Sequence, residues 1–217
     1  MSTKETVQAV RNALSVARMT TYEIAVAHND LAALALYAWN AQVSAAFLAP
    51  LHICEVVVRN AVSETLEAVY GARWPWSGGF EQSLPAPRLG YSQRKDLQSA
   101  LSRAPTTGKI IPELKFVFWQ KMFTGRNDAR LWNFYLLKAF PGLNAARTIS
   151  HLRKGIYDDL EHIRTLRNRI AHHEPIFKRN LADDLERIVH LVELRCKVTA
   201  SWMLSNQQAS ALIALRP

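Results

Sequence analysis

Residues 156–175 read IYDDLEHIRTLRNRIAHHEP, and their spacing decides the fold class. Ile156, Leu160, Ile163, Leu166 and Ile170 recur at steps of three and four. That is one face of an α-helix turned toward a core. The helix is expected from about Asn144 to His172, closed off by Pro175. His173 lies three after Ile170 and continues the stripe. His172 falls one position off it and four after Asn168, so those two share a face. Arg164, four before Asn168, extends that face. Arg167 sits well round from His172, at the border of the core and polar faces.

The helical period extends outward in both directions. A last helix is expected from about Asn180 to Leu204, with residues 205–217 as a fraying tail. Upstream, Pro112 opens a helix through Phe123, and Asn127 or Asp128 caps another that ends before Pro141. Ser92 caps a helix to about Arg103. Residues 71–91 and 104–111 are read as loops, the first because glycine and proline recur through it. Trp74 and Trp76 are expected to pin that loop to the core. Ser2 or Thr3 caps a first helix to about Arg18, followed by a turn at Met19–Tyr22. Asn29 or Asp30 caps the apolar run Leu31–Leu48. Pro50 is expected to kink or restart the chain before a helix over Leu51–Tyr70, with Gly71 as its stop signal. No segment shows sustained period-two alternation. The expectation is one all-α domain over residues 1–217, a helical bundle with two loop insertions.

Composition bounds the function. The chain is 49% hydrophobic and 21% charged, which excludes wholesale disorder and fibrous repeats. Its 27 basic residues exceed 18 acidic ones, for a formal net charge of +9. Residues 1–87 carry a net −2. Residues 88–138, with ten basic against three acidic side chains, carry +7, and residues 139–179 carry +4. A regional surplus of cations favours a polyanionic partner. Two cysteines, Cys54 and Cys196, cannot build a disulfide framework and show no zinc spacing. They imply a reducing, cytoplasmic setting with both thiols buried. The N-terminus lacks the apolar run of a signal peptide. Leu31–Cys54 carries no charge and is long enough to span a bilayer, but Asn40, Gln42, Ser44, Pro50 and His52 interrupt it. It is read as a buried core helix rather than a membrane span.

Motifs narrow the chemistry further. GxGxxG, GxxxxGK[ST] and HExxH are all absent, so neither a glycine loop for nucleotides nor a zincin site is expected. Both histidines of residues 172–173 fall at a helix C-terminus. The macrodipole there stabilises imidazolium by roughly 0.3–1 kcal/mol. Such a histidine can act as general acid or base, and an adjacent arginine can stabilise charge on a phosphoryl group. On spacing alone, the arrangement reads first as a basic helix end with histidine capping the last carbonyls. Glu55, Arg59 and Asn60 form a second polar set inside an apolar run. The Glu55–Arg59 pair is expected to be half-buried, with the Arg167/Asn168 face as its further partner.

Three stretches resemble the Abi-like (abortive infection) proteins of the HEPN superfamily. They are Leu36-Tyr-Ala-Trp39-Asn40 followed by His52-Ile-Cys-Glu55-Val-Val-Val-Arg59-Asn60, then Leu114-Lys-Phe-Val-Phe118-Trp119-Gln-Lys-Met-Phe123, then Leu166-Arg167-Asn168-Arg-Ile-Ala-His172-His-Glu174-Pro175-Ile176. Together they cover most of residues 30–180. Val117 stands where the family pattern carries glycine. The resemblance implies a HEPN-like helical bundle with additional helices, and cleavage of RNA without a metal or other cofactor. It implies a homodimer whose Arg-Asn-x3-His helices pair across a two-fold axis. In that scheme Arg167 stabilises the phosphorane, Asn168 orients its neighbours and His172 is the general acid/base. Arg164, His173, Glu55, Arg59 and Asn60 support the site. Lys115, Lys121, Arg126, Arg130 and Arg169 are candidates to carry the RNA backbone. The implied role is a toxin or phage-defence effector with a possible antitoxin partner. A non-catalytic module binding RNA, a nucleotide or a protein through the same cleft stays open, as does a purely structural dimer.

Overall fold

A computed structural model describes residues 3–217 of the chain, so Ser2, one of the two first caps expected, lies outside the described residues. The described residues form twelve α-helices and no strand. In chain order these are α1 (Thr3–Leu14), α2 (Val16–Ala25), α3 (Asp30–Tyr70), α4 (Gly78–Ser83), α5 (Gln93–Leu101), α6 (Thr107–Glu113), α7 (Phe116–Met122), α8 (Asn133–Ala139), α9 (Ile149–Ala171), α10 (Leu181–Arg195), α11 (Lys197–Ser205) and α12 (Ala209–Ala214).

The centre of the fold is α3, which runs unbroken for 41 residues through Pro50. The expected restart at that proline does not occur. Its ring removes one backbone donor, yet Pro50 itself is buried and so are Phe47, Leu51 and Cys54 around it. Tertiary packing therefore holds the turn that propensity would break. Asn29 caps α3, its side chain accepting from Ala32 N, and Gly71 at φ 84° ends it. Against α3 pack α1, α2 and α7 to α12. By length and composition α3 could cross a bilayer, and a third of its most apolar window is buried within the fold.

Other boundaries moved for local reasons. The first helix stops at Leu14, because Ser15 adopts φ 78° and caps α2 through its side chain. Met19–Tyr22 is not a turn but lies inside α2, with Met19 and Tyr22 buried. Both expected loops contain helix: α4 and a 3-10 turn (Trp74–Trp76) in the first, and α6 from Thr107 in the second. Pro112 lies inside α6 rather than opening a helix. Trp74 is fully buried and donates to Ser63 Oγ at 3.1 Å, so it does pin its loop. Asn127 precedes a π-helical stretch (Asp128–Trp132) that leads into α8. The last helix is divided at Cys196, whose extended backbone (φ −159°) separates α10 from α11. The tail does not fray. Residues of α12 close over α3, with Ala209 fully buried and Trp39 Nε1 donating to Leu212 O at 2.7 Å.

Thr148, not Asn144, caps α9, and all five residues of its apolar stripe are buried. It runs antiparallel to α3. Asn40 near the start of α3 meets Ile176 beyond the end of α9, while Cys54 farther along α3 feels the charge of Asp159.

Candidate functional site

The C-terminal end of α9 is a Schellman turn built without glycine. His172 is the cap residue, His173 N donates to Ile170 O at 3.0 Å and Glu174 N donates to Arg169 O at 2.8 Å. This double bond pattern satisfies the last carbonyls of the helix. It requires a left-handed residue just past the cap, and His173 takes that position with φ 54°. His173 is therefore exposed and does not continue the buried stripe, contrary to the spacing argument. The chain reverses before a fifth apolar turn can form.

Three side chains fix this turn. Arg18 of α2 donates to His173 O at 2.6 Å. Arg169 donates to Pro175 O at 2.7 Å and pairs with Glu174 at 3.2 Å. Asn40, only 6% exposed, accepts through Oδ1 from Ile176 N at 2.8 Å and Phe177 N at 3.1 Å. Arg169 is thus occupied with backbone rather than free for RNA. The role of Arg18 was not legible, because nothing in the sequence brings residue 18 to residue 173.

The remaining arginines show which cations are free. Of eighteen, Arg88, Arg147 and Arg167 make no ion pair, side-chain hydrogen bond or ring contact among the described residues. Arg88 and Arg147 lie in connections, while Arg167 stands exposed on α9. The side chains of Asn168 and His172 are likewise unpartnered among the described residues. Asn168 is half-buried and His172 is exposed. Their shared face is open to solvent, one turn apart. Arg167 lies round the helix from His172, aligned instead with Ile170 and Ala171.

Arg164 is not free. It pairs with Glu161, which also accepts from the buried amide of Gln120. The Arg164 guanidinium holds the Glu161 carboxyl below the usual carboxylate range, against the opposing effect of burial. Glu161 carries the link between α7 and α9 and was not singled out from the sequence.

The second polar set lies elsewhere. Glu55 and Arg59 are both half-buried, as expected, but stand 3.9 Å apart. Arg59 Nε is buried with no hydrogen-bond partner. No bond joins the pair to Arg167 or Asn168 among the described residues. The antiparallel register puts Arg59 opposite the first half of α9, roughly 15–20 Å along the axis from Arg167. Asn60 is exposed. The candidate RNA-binding cations are spread as well. Lys121 lies near Glu161. Arg126 donates to Ser83 O at 3.0 Å and Arg130 to Asn127 Oδ1 at 3.0 Å. The neighbouring Asp128 pairs with Arg153 near the start of α9, so these two sit roughly 20–30 Å along the helix from His172. Lys115 is exposed beside Asp96, which accepts from its backbone N–H.

Cys54 is buried, and burial first, with Glu55 and Asp159 adding, pushes its thiol up to about 12. Cys196 departs from expectation: it is half-exposed at the start of α11, and the Thr199 hydroxyl lowers its pKa. Among the described residues no three His, Cys, Asp or Glu side chains gather as metal ligands. Comparison with known proteins finds no matching family model, no matching curated protein and no matching solved structure.

Proposed function

We propose that this protein is a metal-independent endoribonuclease of the HEPN type, acting as a toxin or phage-defence effector on RNA. One observation carries the reading: Arg167, Asn168 and His172 are unpartnered at the end of α9, in a chain whose other helical arginines are engaged. The resemblance of the Arg-Asn-x3-His string and the basic middle of the chain support it.

The chemistry needs only these groups. His172 removes the proton of a 2′-hydroxyl, and that oxygen attacks the adjacent phosphorus. Arg167 stabilises the charge that builds on the non-bridging oxygens. The P–O5′ bond breaks, and a second histidine protonates the leaving oxygen. The products are a 2′,3′-cyclic phosphate and a 5′-hydroxyl. A two-fold pairing of α9 supplies that second histidine from another copy of the chain, and brings another copy's Arg167 toward the first His172. His172 is assigned this role because it lies one turn after Asn168 on the open face. His173 instead lines the cleft between the end of α9 and α3.

Purified protein incubated with total RNA in EDTA is expected to cleave it, and His172→Ala is expected to lower the rate by about 10²–10⁴-fold. Cleavage that survives His172→Ala overturns the assignment. RNA held but never cut, with affinity falling steeply as salt rises, returns the reading to a non-catalytic binding module.

A further inference from the structure

A groove of about 400 Å³ opens between α3 and the end of α9, next to the site. Its position follows from the turn just described. Ile170, Ala171, His173 and Glu174 line it from the end of α9. Ala41, Ala45 and Leu48 of α3 face them across the gap. The small side chains keep the slot open where larger ones would close it. Arg167 lies one turn before Ala171 on the same side of α9, and His172 directly follows it.

The inner end is aromatic. Tyr22 and Tyr37 pack edge to face, with ring centroids 4.9 Å apart. Their hydroxyls have no hydrogen-bond partner among the described residues. Asn40 has committed its carbonyl oxygen to two backbone donors, which leaves its amide N–H groups unspent at the groove wall. Ser44 donates to Asn40 O at 2.6 Å, so its oxygen is left as an acceptor. One oxygen of Glu174 is free, because Arg169 pairs with the other. Beside the groove, Arg18 is held against His173 O, and Arg167 stands free one turn before Ala171. The groove therefore combines apolar lining from α3 and α9, a mixed set of donors and acceptors, and a free arginine one turn away along α9.

We propose that this groove receives one nucleobase of the RNA, next to the phosphate held by Arg167, and so sets the base preference of the protein. A base fills a narrow apolar slot with a π-face and presents donors and acceptors at its edge. Its ribose phosphate then leaves the slot toward Arg167, the uncommitted cation beside it. The inference takes its ligand from the proposed RNA reading, but its test does not depend on cleavage.

The four nucleoside 5′-monophosphates, ribose 5-phosphate and inorganic phosphate are titrated into the full chain by calorimetry. At least one nucleoside monophosphate is expected to bind tenfold or more tightly than ribose 5-phosphate. Ala45→Trp places a ring in the slot from an exposed position of α3, and is expected to abolish that difference while phosphate binding and helical content persist. Ala41→Trp repeats the test from the next turn. No advantage of any nucleotide over ribose 5-phosphate overturns the proposal. So does a preference that survives both tryptophans. A third overturning result is a dimer that either tryptophan converts to monomer, since the groove would then house a second copy. If nucleotides bind as expected and no RNA is cleaved, the nuclease reading fails and the groove assignment stands. If RNA is cleaved and both tryptophans leave nucleotide selectivity intact, the reverse holds.

Discussion

At the scale of single residues, the end of α9 shows a side chain chosen against backbone preference. His173 occupies a left-handed position that glycine adopts without strain. A non-glycine residue there costs of the order of 1 kcal/mol, and glycine in turn loses more entropy on folding. His173→Gly is therefore expected to raise stability by about 0.5–1 kcal/mol, read as a higher urea midpoint at constant slope. An unchanged or lower midpoint would mean that the histidine side chain contributes more than its backbone costs. The two thiols give a second residue-scale expectation. A thiol reacts as thiolate. Cys54, raised to about 12 by burial, is almost wholly protonated at pH 8, whereas Cys196 is lowered and accessible. One equivalent of a disulfide reagent should react rapidly in the native protein, at Cys196, and the second only on unfolding. Two fast equivalents would contradict the buried position of Cys54. The sequence placed both cysteines in the core because composition alone cannot distinguish a helix interior from a helix start.

At the scale of elements, Pro50 separates local preference from tertiary demand. A proline inside a helix costs about 3 kcal/mol relative to alanine, because a hydrogen bond is lost and the ring crowds the preceding turn. Here α3 continues through it. Pro50→Ala should stabilise the protein by about 1–2 kcal/mol, less than the full amount because the buried ring also makes contacts. A drop in the thermal midpoint would show that the ring's packing outweighs the missing bond. The same contrast explains which elements were legible. The core face of α9 was readable because five apolar residues keep helical spacing while charges fill the other faces. The breaks at Ser15 and Cys196 were not, since neither position carries glycine or proline. The helix α12 was not legible either, because six residues have little helical tendency alone and owe their order to contact with α3 and Trp39. At the candidate site the residue types were readable and the turn was not. The left-handed residue that stops α9 is a histidine, and histidine at that spacing looks like one more step of the stripe.

At the scale of the whole molecule, the charge read from the sequence divides into structural and available parts. Residues 88–179 hold the entire net surplus, but Arg94, Arg126, Arg130, Arg153, Arg164 and Arg169 are all engaged with backbone carbonyls, carboxylates or amides. Net charge still raises the local potential, whereas contact with phosphate needs groups not already committed. Those near the end of α9 are Arg167 and His172, with Lys121 half-exposed farther along beside Glu161. For single-stranded nucleic acid, each phosphate neutralised contributes about 0.7 to the slope of log affinity against log salt. Arg167→Ala should therefore flatten the measured slope by about that amount. Arg126→Ala should leave the slope unchanged and instead lower stability by about 0.5–1.5 kcal/mol, by removing the bond to Ser83 O. If Arg126→Ala flattens the slope and Arg167→Ala does not, the RNA path runs along the loop side of the bundle and the end of α9 is not the binding edge.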